Sequence, residues 1–133
     1  MHRSHEPLVY LAYAAADKVW AAQFSTALRD AGVKLWFDAA EIRPGDEWKD
    51  ATERALRDSN ILVFVLTPNS VDNPWALFEL GAAVADNKRV IPIVAKPFDP
   101  SETPPLIGRY RFLDESSPTE AARRVAEVVA EPA

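Results

Sequence analysis

Glu79 and Trp75 are the pair of residues whose types and spacing best suit chemistry. Glu79 is the only charged residue in the apolar stretch 75–85, which follows Asn73 and Pro74, a natural helix N-cap and first helical residue. A helix that is apolar almost all round is normally buried, so a carboxylate there is costly to desolvate. The four-residue spacing places the tryptophan ring and the carboxylate on one helix face. A desolvated carboxylate in a cleft is a candidate catalytic group.

A structural role for Glu79 is the alternative. Glutamates that stabilise the helix dipole or close a capping box lie in the first turn, where the third helical position is Ala76. Glu79 lies in the second turn, which favours a functional carboxylate. Trp75 could likewise be a core residue that contacts no ligand.

The elements that must position this pair alternate between strand and helix patterns. Short apolar runs bounded by turn residues predict five strands. The third run is apolar at every position, as expected of a strand covered on both faces. Pro92, within the fourth, predicts a bulge or a weakly paired side. The predicted strands are Leu8–Ala12, Val33–Phe37, Ile61–Leu66, Val90–Val94 and Tyr110–Leu113.

Apolar residues at helical spacing predict four helices between and after these strands. Asp17 is expected to cap the first, which Gly32 ends, and Asp46 is expected to cap the second. The third is the helix of Glu79, and the last spans Thr119–Ala130. A cluster of prolines after the fourth strand predicts a loop where the alternation would call for another helix.

This pattern predicts one α/β domain over residues 1–133, with its core at about 8–130. The fold class is flavodoxin-like: a doubly wound, five-stranded parallel sheet in the order 2-1-3-4-5 with helices on both faces. Ligands of such sheets bind outside the carboxyl ends of the strands, where the winding reverses, here between strands one and three. The helix of Glu79 begins at that edge, so burial and topology select the same place.

The composition narrows the classes of function. A net charge of −5 argues against nucleic acid as a partner. Cysteine is absent, so neither disulfides nor a thiolate metal site is expected. Neither a signal-peptide core nor a bilayer-spanning apolar run is present in the sequence, and we predict a cytoplasmic protein without membrane contact.

The sequence lacks the motifs of several common binding and catalytic sites. The four glycines are scattered and form neither GxGxxG nor a P-loop. A phospho-acceptor receiver domain needs an aspartate where the third strand ends at Thr67. His2 and His5, the only histidines, lie in the N-terminal tail, so we expect no metal site and no histidine-activated nucleophile.

Segments along nearly the whole chain, in order and spacing, resemble the Toll/interleukin-receptor (TIR) domain family. They are the first strand with Asp17 after it, the second strand ending at Asp38, the loop Ile42–Asp46, the third strand running on to Ser70, the Trp75–Glu79 pair and the fourth strand. The resemblance implies the fold deduced above. Many members of the family cleave NAD at the nicotinamide–ribose bond, whereas others only assemble with further TIR domains.

The resemblance also implies roles for single residues. Glu79 matches the catalytic glutamate, and residues 38–48 match a mobile loop that closes over the site and contacts a neighbouring domain. Substrate contacts are expected at Tyr13, Ala14, Asp38, Ile42, Arg43, Gly45, Ser70 and Trp75. Contacts between domains are expected at Arg43, Pro44, Gly45, Asp46 and Trp48.

The chain departs from the family pattern after its first strand. Ala12 replaces the usual serine before Tyr13, and Ala14 and Ala15 replace frequent polar or basic residues. Some phosphate or ribose contacts must therefore come from elsewhere, for example from Arg43. Ser70 could also be a plain turn residue, and Tyr13 a core aromatic.

One carboxylate suffices for this reaction. Glycosidases usually need two, because the leaving alkoxide must be protonated. The nicotinamide of NAD is a cationic pyridinium that departs neutral, so Glu79 need only hold the ribose and stabilise the oxocarbenium charge, while Trp75 stacks on the ring.

The resulting hypothesis is an NAD-consuming TIR domain that is activated by self-association and takes part in bacterial immune signalling. NAD is its substrate, no cofactor is expected, and a sensor domain or separate sensor chain is an expected partner. The rivals are a non-catalytic TIR adaptor and a flavodoxin-like nucleotide-binding module of unrelated function.

Overall fold

The computed structural model describes residues 7–37 and 48–131. The strands are β1 (Leu8–Ala12), β2 (Lys34–Trp36), β3 (Ile61–Leu66), β4 (Arg89–Val94) and β5 (Leu113–Asp114). The α-helices in the described ranges are α1 (Lys18–Asp30), α2 (Trp48–Asp58), α3 (Pro74–Ala85) and α4 (Pro118–Ala130). Short 3-10 turns occupy Ala15–Asp17, Pro100–Glu102 and Ile107–Arg109.

The five strands form one parallel sheet in the order β2-β1-β3-β4-β5, which confirms the predicted topology. β3 lies at its centre and is buried at all six positions, as its unbroken apolar run predicts. β1 pairs with β3 from Val9 opposite Ile61 to Ala12 opposite Phe64. Their carboxyl ends therefore reach the same edge of the sheet.

Alternation along β1 divides its side chains between two core layers. Val9 and Leu11 belong to the layer filled by α1 and α4, whereas Tyr10 and Ala12 belong to the layer filled by α2 and α3. The chain is therefore doubly wound, with a helix pair on each face of the sheet.

The fifth strand differs from its prediction. It spans Leu113–Asp114 rather than Tyr110–Leu113, because the 3-10 turn at Ile107–Arg109 continues into Tyr110, whose N–H donates to the Ile107 carbonyl over 3.1 Å. β4 pairs with β5 only at Ile93 and Val94, beyond Pro92, which has no N–H to donate. The β3–β4 register continues through Pro92 without a bulge, so the weakly paired side is the one facing β5.

Candidate functional site

Helix α3 begins where the sequence predicts and places Glu79 beside the carboxyl edge of the sheet. The Asn73 side-chain oxygen accepts the Ala76 N–H over 2.9 Å, and Pro74 is the first helical residue. This cap satisfies one of the donors left free at the helix start. Only a short turn separates the end of β3 at Leu66 from this cap, so α3 starts at the edge where β1 and β3 end.

Glu79 is 3% exposed, which confirms its predicted burial. The Tyr10 hydroxyl donates a hydrogen bond to Glu79 Oε2. Tyr10 is itself 1% exposed and lies at the middle of β1, on the face that packs against α2 and α3. A carboxylate inside the α2/α3 layer therefore has a donor from the neighbouring strand.

Tyr10 was missed by the sequence analysis, although a signal was present. A tyrosine within an apolar strand buries a hydroxyl, which requires a hydrogen-bond partner. The alternation of β1 assigns Tyr10 to the face opposite Val9 and Leu11, where α3 packs. The side chain of α3 that can accept is Glu79.

Trp75 is half-buried and stacks on Phe78, with 5.2 Å between ring centroids and 26° between planes. Phe78 is 53% exposed, so the expectation that α3 is buried on most of its surface is wrong on this side. Among the described residues, Trp75 belongs to neither core layer. This position favours a surface aromatic available to a ligand over a core residue, and its contact with substrate stays a prediction.

The predicted site residues after β1 lie at the same edge but in the other layer. Tyr13 is half-buried, packs against the α1/α4 layer and lies 5.4 Å from Phe37 between ring centroids, at 32°. Ala14 is 3% exposed. The edge of β1 thus separates Tyr13 from Glu79, whose helix packs on the opposite face.

Ser70 is fully buried in the turn that leads to α3. Its hydroxyl donates to the Val65 carbonyl over 2.6 Å and accepts the Thr67 N–H over 3.0 Å. Both bonds shape the turn, which favours the alternative of a turn residue. A direct contact of Ser70 with substrate stays a prediction.

Asp17 occupies the N-cap position of α1, as the sequence predicts, but its side chain makes no capping hydrogen bond, so the expected capping interaction is wrong. The carboxylate is instead 1% exposed and accepts from Thr67 Oγ1 at 2.5 Å, Asn69 Nδ2 at 3.0 Å and Lys96 Nζ at 3.1 Å. These donors follow β3 and β4, and a buried carboxylate is better satisfied by them than by a solvent-exposed helix end. We call these four residues the Asp17 cluster.

The Asp17 cluster fixes the turn that delivers α3. Thr67 Oγ1 accepts the Asn69 N–H at 3.0 Å, and the Asn73 N–H donates to the Ser70 carbonyl at 3.1 Å. A chain of hydrogen bonds therefore runs from Asp17, in the 3-10 turn after β1, through the turn after β3 to the N-cap of α3. The position of Glu79 relative to the sheet depends on this chain.

The remaining predicted site residues fall between residues 38 and 48 of the chain. Asp38, Ile42, Arg43, Pro44, Gly45 and Asp46 lie outside the described residues, and Trp48 is the first residue of α2. Within residues 7–37 and 48–131, His, Cys, Asp and Glu side chains nowhere gather in a group of three suited to a metal ion. None of the helices in those ranges is long and apolar enough to span a bilayer.

A family model and a solved structure identify the architecture. Residues 9–128 match the model of the TIR domain. The crystal structure of the TIR domain of the Toll-related receptor TRR-2 from Hydra magnipapillata superposes with a TM-score of 0.75 at 20% identity, covering 92% of this chain and 98% of that one. At this identity the likeness concerns the fold alone.

Two relatives carry names that describe an activity. The chain is 32% identical over 66 residues to the probable 2′ cyclic ADP-D-ribose synthase BdTIR of Brachypodium distachyon, across 50% of this chain and 30% of that protein. It is 25% identical over 133 residues to the NAD(+) hydrolase PdTIR of Paracoccus denitrificans, across 92% of this chain and 42% of that protein. The chain therefore spans less than half the length of both relatives.

Proposed function

This chain belongs to the TIR-domain family, and on that premise we propose that it cleaves NAD at the nicotinamide–ribose bond with Glu79 as the catalytic carboxylate. The observation that carries the proposal is the burial of Glu79 on α3, beside the carboxyl edge of β1 and β3. In doubly wound sheets this edge is where ligands bind. A carboxylate desolvated there interacts strongly with a developing positive charge.

The proposed reaction breaks the bond between the nicotinamide nitrogen and the ribose carbon. The bonding electrons return to the pyridinium ring, which leaves as neutral nicotinamide and needs no general acid. The ribosyl group becomes an oxocarbenium ion, whose charge the Glu79 carboxylate stabilises. Attack by water yields ADP-ribose, whereas attack by another nucleophilic atom of the same molecule yields a cyclic isomer.

The side chains at the rim supply binding rather than bond breaking. Trp75 presents a half-buried ring on α3 that can stack on the nicotinamide. Tyr13 presents a half-buried ring at the end of β1 that can contact the rest of the nucleotide. The names of the two relatives, one a hydrolase and one a cyclic ADP-ribose synthase, support this class of reaction and leave both products open.

We also propose that activity requires self-association. The sequence predicts a loop before α2 that holds Asp38, Glu41, Arg43, Asp46 and Glu47 together with the Pro44–Gly45 turn signal, and charged loops commonly carry binding functions. A head-to-tail contact through this loop would be heterologous and would build open assemblies. A sensor domain or chain, a cytoplasmic location and a role in bacterial, including antiphage, immune signalling belong to the same proposal.

A non-catalytic TIR adaptor is the second candidate, and the hydrogen bond from Tyr10 to Glu79 favours it. At 3% exposure and with Tyr10 as donor, the carboxylate could serve only to tie α3 to β1. In that case the chain would bind other TIR domains without consuming NAD. The two candidates differ in a measurable product.

Incubation of the concentrated protein with NAD, followed by chromatography for nicotinamide, tests the proposal. The matched control is Glu79→Gln, which keeps the side-chain volume and an acceptor for Tyr10. We expect nicotinamide release by the parent chain and none above background by the variant. Release at equal rates by both would remove Glu79 from the mechanism, and no release by either, in an assembled sample, would support the adaptor.

A further inference from the structure

We propose that Tyr10 is a positioning residue for Glu79, whose hydroxyl fixes the direction of the catalytic carboxylate. The inference rests on the proposed function and adds a residue of β1 to it. Tyr10 and Glu79 are 69 residues apart in the chain, and both side chains are buried where the hydroxyl donates to Oε2. Tyr10 is proposed to act on the reaction through Glu79.

The hydroxyl is held on a rigid support. Tyr10 lies opposite Leu62 of β3 and Trp36 of β2, so strands flank it on both sides. Its ring is enclosed in the α2/α3 layer at 1% exposure, and close packing of this kind holds a side chain in its rotamer. The donor therefore keeps a fixed position relative to the sheet.

The acceptor side needs such a constraint. A glutamate side chain has three torsions, and ordering them costs conformational entropy. The cap at Asn73 fixes the start of α3 but leaves the carboxylate direction of Glu79 undetermined. A hydrogen bond from the sheet to Oε2 removes this freedom before substrate arrives.

A phenol is chemically suited to this task. Its hydroxyl donates to a carboxylate with the added strength of a charge-assisted bond, yet it is neutral at physiological pH. An arginine or lysine in the place of Tyr10 would also orient Glu79, but its positive charge would oppose the oxocarbenium ion that forms nearby. Tyr10 therefore orients the carboxylate without adding a positive charge.

The test removes one oxygen atom, in Tyr10→Phe, and compares it with Tyr110→Phe. Tyr110 packs half-buried against the same α2/α3 layer, so its variant controls for the loss of a tyrosine hydroxyl there. Loss of orientation acts on the transition state more than on substrate binding. We expect Tyr10→Phe to lower kcat about tenfold with KM within about twofold of the parent value. We expect Tyr110→Phe to change neither.

A second measurement does not depend on activity. A buried tyrosine hydroxyl bonded to a carboxylate gives a slowly exchanging proton resonance, which we expect to be absent in Tyr10→Phe and shifted in Glu79→Gln. A double-mutant cycle of unfolding midpoints with Tyr10→Phe and Glu79→Ala, which removes the acceptor, should be non-additive. Tyr110→Phe should leave the resonance in place.

The outcomes separate this inference from the proposed function. A parent chain that releases no nicotinamide overturns the proposed function, while the resonance and the cycle still decide the pairing of Tyr10 with Glu79. An active parent with equal kcat for Tyr10→Phe and Tyr110→Phe overturns the positioning role. An additive cycle together with an unshifted resonance in Glu79→Gln overturns the pairing itself.

Discussion

Replacing Asp17 with alanine should destabilise the fold and loosen the turn that delivers α3. The carboxylate accepts from Thr67, which is fully buried, and from Asn69 and Lys96, which water can reach. A hydrogen bond to a buried charge contributes about 1.5–3 kcal/mol to the free energy of unfolding, and this range applies to the bond from Thr67. The other two donors can be rehydrated, so each adds about 1 kcal/mol or less.

The sum predicts a loss of about 3 kcal/mol in the free energy of unfolding, because removing the carboxylate also relieves part of its own desolvation. For a domain of this size that loss corresponds to a decrease of roughly 10 °C in Tm. Urea unfolding with an unchanged m-value would establish that only stability has changed. Amide hydrogen exchange at Asn69 and Ser70 should increase, because the turn loses the acceptor that holds it.

Lys96→Met is the matched control. It removes only the ion pair at 3.1 Å, and the lysine side chain is 49% exposed, so we expect a loss of about 1 kcal/mol or less. Two results would refute the reasoning that the buried acceptor provides the stability. One is a decrease of only about 1 kcal/mol or less in the free energy of unfolding of Asp17→Ala, and the other is an equal decrease for Lys96→Met and Asp17→Ala.

Three further predictions concern the proposed reaction. Glu79→Gln should abolish nicotinamide release and leave the fold no less stable, since the amide oxygen can still accept from Tyr10. A lowered melting temperature beside the lost activity would contradict this. Trp75→Ala should raise KM and lower kcat while Trp75→Phe retains much of both, whereas a loss of about 3–5 kcal/mol in stability would instead indicate a core residue. Specific activity should rise with protein concentration, because assembly completes the site. Gly45→Pro should suppress the rise, because the fixed φ of proline prevents this segment from adopting the conformation needed to contact a neighbouring domain. Constant specific activity over about a hundredfold dilution of a chain that stays monomeric would exclude activation by self-association.

The sequence was sufficient for features that depend on local patterns. Apolar runs bounded by turn residues predict β1 and β3 at their observed bounds, and the rules for parallel sheets then predict the strand order. Asn73 and Pro74 predict the start of α3, because caps act over three residues. The burial of Glu79 followed from the apolar residues around it.

Prediction failed where the result depends on which distant parts of the chain come into contact. Asp17 is of a residue type that commonly caps helices, yet its carboxylate accepts hydrogen bonds from residues 50 to 79 positions away in the chain. Burial of the carboxylate on folding makes these donors more favourable than the helix start. Phe78 is exposed although its stretch predicts a buried helix, since the outer side of α3 has no further layer in the described chain. β5 starts three residues late because the turn before it and the missing donor of Pro92 decide its register.

Some features of the candidate site were likewise predictable from the sequence, and others required the tertiary structure. The sequence by itself determined that this protein has a doubly wound sheet with the Glu79 carboxylate on the helix that begins at its carboxyl edge, because periodicity, capping and charge are properties of neighbouring residues. Only the tertiary structure decided that the carboxylate is bonded to Tyr10 and that its helix is fixed through Asp17. Those bonds join residues far apart in the chain, and their existence depends on strand register and on which face each side chain takes.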